Sequence, residues 1–190
     1  MMEPDNELII VRSLTDSDLG LFAAHRPVLL SKQRALNINA KFARRLLSPE
    51  LYASHGTKMP CCILFGDIEL YSERHLGKVG KNWRLGGDKI DGNDFANLDS
   101  KDFALIRSVA NNDGSGLITI LFLSKIRERQ KHADVGRLVE PVMKKSMELF
   151  MAGSAGFQEL AAFFPQPKVK TGNLSRPGAL KKKPIAANQG

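Results

Sequence analysis

The strongest structural constraint in this 190-residue sequence is a pair of apolar segments separated by a glycine-rich turn. Phe103–Val109 and Gly116–Ser124 are rich in β-branched and aromatic residues, and residues 111–116 between them read Asn-Asn-Asp-Gly-Ser-Gly. This arrangement is typical of a β-hairpin, because asparagine, aspartate and glycine adopt the positive φ angles that tight turns require. The sequence therefore predicts two paired strands in the second half of the chain.

Other short segments have the same character. Glu7–Leu14 predicts a first strand, residues 36–39 alternate apolar and polar as a short strand does, and Cys61–Tyr71 predicts a strand or a strand pair bent at Gly66. A capped turn is expected at residues 15–20. Residues 25–33 and 74–94 are interpreted as an irregular arm and a long ordered loop.

Three helices are predicted among these strands. Ala40–Leu47 is the first, and Ala155–Phe164 is the last, ended by a proline. The main helix is placed in Val135–Met151, with its start near Pro141 because proline is tolerated in a first turn. Many short strands with few helices predict a mainly β (α+β) fold, a small barrel or pseudobarrel. We expect this domain to cover residues 1–165 and a basic flexible linker or tail to cover residues 166–190.

Cysteine placement and hydropathy bear on location. Cys61 and Cys62 are adjacent, and a disulfide between neighbours is strained, so a reducing compartment is expected. No segment approaches the ~20 consecutive apolar residues of a membrane span, and the acidic N-terminus is unlike a signal peptide. The sequence therefore predicts a cytoplasmic protein without membrane contact.

The net charge of +8 is unevenly distributed. Six basic residues of the tail have no acidic neighbour, and removing them leaves residues 1–167 almost balanced. Within those residues, two windows contain no aspartate or glutamate: Leu19–Pro49 and Arg74–Gly87. Ten cations lie in these windows: Arg26, Lys32, Arg34, Lys41, Arg44, Arg45, Arg74, Lys78, Lys81 and Arg84. An acidic body with two basic windows predicts a phosphate-binding face, if the windows meet in space.

Catalytic and metal-binding patterns are weak by comparison. Asp67 and Glu69 resemble half of a metal-nuclease site, but Tyr71 stands where such sites have a lysine, and an alternating strand of a half-exposed sheet explains the pair better. The acidic segment 88–94 lacks the ligand spacing of a calcium loop. The four histidines and two cysteines lack zinc-site spacing. We therefore predict no catalytic residue, no metal and no cofactor.

Both basic windows carry the residue types that DNA recognition uses. Arginine and lysine bind guanine O6 and N7, and asparagine and glutamine bind adenine N6 and N7. The first group of candidates is His25, Arg26, Lys32, Gln33 and Arg34. The second group is Arg74, His75, Lys78, Lys81, Asn82, Trp83 and Arg84. Within it, Trp83 is expected to anchor the loop more than to contact a base.

Several motifs resemble a known family. Residues 11–20 (VRSLTDSDLG) followed by His25-Arg26 resemble the opening of the N-terminal effector-binding domain of EcoRII-like restriction endonucleases. Residues 68–80 (IELYSERHLGKVG) resemble the second recognition arm of that domain, and residues 153–158 resemble its last helix. Residues 31–39 are closer to the DNA-binding domain of BfiI-type enzymes. Both domains belong to the plant B-three-like superfamily, and the resemblance covers roughly Leu8–Phe164.

The resemblance implies a seven-stranded open pseudobarrel whose two arms enter the major groove of double-stranded DNA. The first group of candidates would form the N-arm and the second group the C-arm. It further implies that the chain is the recognition domain of a type II restriction endonuclease whose catalytic domain lies elsewhere, covalently linked or as a partner. A CCWGG-like recognition site would follow by analogy, although the N-arm is longer here and the C-arm less charged beyond Gly80.

Two other functions are compatible with the sequence. One is a stand-alone regulator or interaction domain that binds RNA or protein through the same arms. The other is a complete metal-dependent nuclease. Duplex DNA binding separates the first alternative from the leading hypothesis, because the major groove of A-form RNA is too narrow for such arms. DNA cleavage with magnesium would support the second.

Overall fold

The computed structural model describes residues 7–29, 33–110 and 116–165. Eight strands are found: β1 Leu8–Ser13, β2 Ala35–Ile38, β3 Gly56–Phe65, β4 Ile68–Val79, β5 Asn82–Gly86, β6 Phe103–Ala110, β7 Gly116–Leu123 and β8 Met147–Met151. Five helices accompany them: α1 Asp16–Leu19, α2 Ala40–Leu46, α3 Pro49–Ala53, α4 Arg129–Val139 and α5 Ala155–Ala161. Within the described ranges, none of these helices has the length and apolar character needed to cross a membrane.

All eight strands form one sheet in the order β2-β5-β4-β3-β7-β6-β1-β8. Neighbouring strands are antiparallel except β3 and β7, which are parallel. The sheet curls into an open half-barrel whose two edges are β2 and β8. The prediction of a mainly β fold is confirmed, but the sheet has eight strands where the resemblance implied seven.

The concave side of the sheet encloses the larger of two cores. Alternate residues of every strand point into it because side chains of a strand alternate between faces. Leu8 and Ile10 of β1, Leu36 of β2 and Phe122 of β7 are almost fully buried there. This inner core holds the curled sheet together, since each fully buried side chain of this kind contributes ~1.5–3 kcal/mol.

A buried ion pair closes the inner side near β1. Arg12 of β1 donates from Nε and Nη2 to Asp18 Oδ2 of α1 at 3.0 and 2.7 Å. Asp18 also accepts from the backbone N–H of Thr15 at 2.9 Å and, through Oδ1, from that of Asn37 at 3.2 Å. One carboxylate therefore connects β1, α1 and β2, and these hydrogen bonds offset the cost of burying the charge.

The convex side carries a second core over part of the sheet. Helices α4 and α5 pack there through Val135, Val139, Phe157 and Leu160. Their apolar partners lie on β1, β3, β6 and β7: Ile9, Val11, Cys62, Leu64, Phe103, Leu105, Leu121 and Leu123. Because no described helix covers β2 and β5 on this side, their convex surface remains open.

The prediction of a loop at residues 74–94 is wrong for its first half. Residues 74–79 continue β4, and β5 pairs with β4 in a tight hairpin, Val79 opposite Asn82. Gly80 has φ +60° at the turn, a conformation that glycine adopts readily. The glycines and charges concealed a regular alternation, in which Trp83 and Leu85 are buried and their neighbours are not.

The prediction of a helix at Val135–Met151 is also wrong. Helix α4 begins earlier, at Arg129, and ends at Val139, so Pro141 follows the helix instead of starting it. Residues 147–151 form β8, which pairs with β1. A five-residue apolar segment is compatible with the period of a helix or of a strand. Here, pairing with the buried strand β1 stabilises the strand.

Most other elements lie where the sequence predicts them. β1, β2, α1, α2, α5 and the β6–β7 pair agree within one to three residues, and Gly66 at φ +59° begins the turn between β3 and β4. Helix α3 was not predicted, because Pro49 begins a helix as well as ending one. The predicted turn at 111–115 and the tail at 166–190 lie outside the described residues.

Candidate nucleic-acid interface

The uncovered convex surface of β2, β5 and the end of β4 is here called the open face. It is defined by His75, Gly77, Asn82, Arg84 and Asn37. Arg84 is in the centre, directly opposite Asn37 on one side and Gly77 on the other. Because strand residues alternate between faces, these side chains share the side opposite to the buried Leu36 and Leu85.

Polar atoms at the centre of the open face lack partners. Arg84 Nε and Asn37 Oδ1 are both buried from solvent and make no hydrogen bond to any described residue. A buried donor or acceptor without a partner costs ~1–3 kcal/mol. The two atoms sit on directly opposed residues, so a single ligand with donors and acceptors could satisfy both.

Two glycines beside Arg84 leave space for the His75 ring to lie on the sheet. Gly77 of β4 lies opposite Gly56 of β3, and the His75 ring lies over both positions. A methyl group at Gly77 would overlap the His75 ring, and one at Gly56 would come within 2.9 Å of His75 Nε2. His75 therefore forms part of a shallow floor beside Arg84. Acidic residues begin two positions away, where Glu73 pairs with Lys58 at 3.1 Å.

The N-arm, residues 25–34, is anchored at its first two residues. His25 Nε2 lies 2.8 Å from the Phe95 carbonyl oxygen, and Arg26 Nε donates to the Gly20 carbonyl at 3.1 Å. Partial burial lowers the pKa of Arg26, and the nearby Arg34 cation lowers it further. Both side chains thus fix the start of the arm.

The end of the N-arm returns to the sheet beside Gly20. A methyl group at Gly20 would overlap the Gln33 carbonyl oxygen, so this close approach requires glycine. The Gln33 side chain donates to the Ala35 carbonyl at 2.9 Å. Arg34 is exposed immediately before β2. Lys32, the remaining N-arm candidate, lies outside the described residues.

The C-arm, residues 74–84, contains two residues that do not reach the surface. Arg74 is buried on the inner side, donates to Ser72 Oγ at 2.9 Å and to the Asp88 carbonyl, and has its pKa lowered by burial. Trp83 is fully buried and stacks on Tyr52 with ring centroids 4.9 Å apart. Both side chains stabilise the hairpin from the inner side of the sheet.

The remaining C-arm candidates are accessible. His75, Lys78, Lys81 and Asn82 are exposed, and Arg84 is partly exposed. Lys78 and Lys81 flank the hairpin turn. The C-arm therefore divides into a buried anchor and a basic tip, a division that its sequence composition did not indicate.

Strand β5 sets the separation of the two arms. Its first residue, Asn82, adjoins the C-arm tip, and its last residue, Gly86, pairs with Ala35 at the end of the N-arm. Five strand residues span roughly 13 Å. The major groove of B-form DNA is ~12 Å wide, so the ends of the two arms adjoin β5 at a distance comparable with the width of the groove.

The sequence candidates did not include Asn37. Strand alternation could have indicated its outward position between the buried Leu36 and Ile38, but its pairing with Arg84 depends on a β2–β5 contact between distant segments. The acidic pair considered as half a nuclease site has structural partners instead. Asp67 pairs with Arg127 at 2.7 Å, and Glu69 accepts from the Tyr71 hydroxyl at 2.6 Å.

Comparison with protein-family models and with curated protein sequences found no match to this chain.

Proposed function

We propose that this chain binds double-stranded DNA in a sequence-specific manner through the open face and its two arms. The observation that carries the proposal is the central Arg84–Asn37 pair, with buried polar atoms that no described residue satisfies. Arginine is the preferred partner of guanine and asparagine of adenine in the major groove. Base edges would supply the missing hydrogen bonds.

The charges around this pair support the same ligand. Lys81 at the hairpin turn and Arg34 at the end of the N-arm are exposed beyond the two ends of β5. Lys78, opposite Trp83, is exposed near the turn on the other side of β4. Phosphate contacts of this kind position a protein on DNA, while contacts to base edges select the sequence. The proposed division of labour is phosphate binding by the arm cations and base reading by Arg84 and Asn37.

The motifs that resemble those of EcoRII-like enzymes extend the proposal. The chain would act as the recognition domain of a type II restriction endonuclease, with the cleavage chemistry in a separate catalytic domain. The curled, open, mainly β sheet is compatible with a B-three-like pseudobarrel, with β8 as an additional edge strand. A CCWGG-like duplex is the first specific site to test.

The decisive experiment is selection of bound duplexes from a randomised pool, followed by fluorescence anisotropy on the enriched sequence. Arg84→Ala should lose ~1–3 kcal/mol of affinity for the enriched duplex and much less for random DNA. Lys131→Ala removes one exposed cation from α4 and serves as the control, with both affinities unchanged. A pool without enrichment, or equal losses on all sequences for Arg84→Ala, would contradict sequence reading by this face.

A further inference from the structure

A cleft separates β2 and β8, the two edge strands of the described sheet. It has a volume of about 590 Å³ and lies between the end of β2 and the start of β8. We call it the seam cleft and define it by six of its lining residues: Asn37, Lys41, Asn82, Lys144, Lys145 and Glu148. Its size is within the ~300–1,000 Å³ typical of ligand sites.

The seam cleft is basic. Lys41, Lys144 and Lys145 are exposed along it. Glu148 is its one acidic lining residue among those the structure describes, and its Oε1 accepts from the Leu149 backbone N–H at 3.1 Å. The guanidinium of Arg12, also in the lining, is neutralised by Asp18. An excess of ammonium groups on a polar wall favours an anionic ligand.

The chain geometry before β8 holds two of these lysines at the cleft. Lys144 makes an isolated antiparallel bridge with Met147, and Lys145 between them has φ +66°. A left-handed conformation costs a side-chain-bearing residue ~1–2 kcal/mol. Such strain concentrates at functional sites. Here the strained turn places the adjacent ammonium groups of Lys144 and Lys145 at the cleft.

The seam cleft continues the open face. Asn37 and Asn82 belong to both. A ligand on the open face would therefore extend into the cleft without crossing an intervening element.

We infer that the seam cleft binds the phosphodiester backbone of the duplex whose base edges contact the open face. Lys144 and Lys145 would then be a third DNA contact, separate from both arms and supplied by the α4–β8 connection. This inference rests on the proposed function. It assigns phosphate positioning, not base reading, to the cleft, so its loss should weaken binding equally on all sequences.

The first test measures the salt dependence of duplex binding by fluorescence anisotropy. The double variant Lys144→Ala/Lys145→Gly removes both charges, and glycine at position 145 accepts the positive φ, so folding is preserved. The slope of log K against log[salt] should fall by about 1.8, because each phosphate contact contributes ~0.9. The control Arg129→Ala/Lys131→Ala removes two exposed cations from α4. An unchanged slope, or an equal change in the control, would overturn the inference.

The second test separates this inference from the proposed function. Inorganic pyrophosphate is titrated into the ¹⁵N-labelled chain, and amide shifts are followed by NMR. Saturable shifts are expected at Asn37, Lys41 and Ser146, and should vanish in Lys144→Ala/Lys145→Gly. Duplex binding without these shifts would overturn the cleft assignment and leave the proposed function intact. Pyrophosphate binding without any duplex binding would overturn the proposed function, and with it the duplex backbone as the ligand.

Discussion

The convex side of the sheet has two halves that follow the same alternation with opposite chemistry. Over β1, β6 and β7, outward residues such as Val11, Leu105 and Leu121 are apolar and buried beneath α4 and α5. Over β2, β5 and the end of β4, the outward residues include Asn37, His75 and Arg84, and no described helix covers them. A sheet face becomes core where a helix supplies an apolar partner, and becomes available for a ligand where none does.

The largest loss of stability is expected when a side chain in the half covered by α4 and α5 is shortened. Phe157→Ala on α5 is expected to reduce the free energy of unfolding by ~3–5 kcal/mol, because it removes a buried ring between the helix and the sheet. Urea denaturation measures the loss. Ile126→Ala, at a side chain 75% exposed, should change stability by less than ~0.5 kcal/mol. Equal effects at both positions would contradict the description of this half as core.

The next largest loss of stability is expected for the buried Arg12–Asp18 ion pair, whose charges are enclosed by the protein, unlike the polar residues of the open face. Asp18→Asn should cost ~3 kcal/mol or more, because Arg12 would remain buried without its counter-ion. The paired replacement Arg12→Met/Asp18→Leu removes both charges and should recover part of the loss in urea denaturation. If the single and double variants are equally unstable, the backbone hydrogen bonds of Asp18 contribute more than the ion pair.

On the open face, truncation should affect binding and not stability. Asn37→Ala is expected to weaken binding of the selected duplex by ~1–3 kcal/mol while the free energy of unfolding changes by less than ~1 kcal/mol. Paired anisotropy and urea measurements test this contrast. A destabilisation comparable to that of Phe157→Ala would show that the open half is structural and would break the comparison.

The effect that is smallest at neutral pH concerns the cysteine pair in β3. Burial raises the pKa of Cys61 from 9.0 to about 12, and burial also raises that of Cys62. Both thiols should therefore react slowly with a thiol reagent at pH 8 in the folded protein and rapidly in guanidinium chloride. The folded state retains the Cys61 proton above pH 9 while the unfolded state releases it, so the free energy of unfolding should fall as pH rises from about 9 towards 12. Rapid native-state labelling would contradict this burial.

Local patterns were sufficient for much of the fold. The alternation at β1 and β2, the cap before α1 and the Gly66 turn depend on neighbouring residues, and each is found where the sequence predicts it. The two errors that changed a strand assignment fall at residues 74–86 and 147–151. Glycine and charge obscured the first segment, and the second is a short apolar stretch whose partner, β1, is more than a hundred residues away.

The candidate site shows the same limit. The basic windows could be located by counting charges, and the structure pairs the strand that follows the N-arm with β5 of the C-arm. Counting could not separate Arg74, which is buried, from Arg84, which reaches the open face. Their difference arises from the side of the sheet that each occupies, and this was hidden while the segment was interpreted as a loop.

The sequence by itself determined that this chain folds mainly as β-structure and that its cations concentrate in two windows, because periodicity and charge are properties of local sequence. Tertiary structure alone decided three further matters. It curled the sheet so that β2 and β8 border a cleft, placed α4 and α5 over one half of the convex side, and set Asn37 opposite Arg84. Each depends on pairing between distant segments, for which burial of the whole core supplies the free energy.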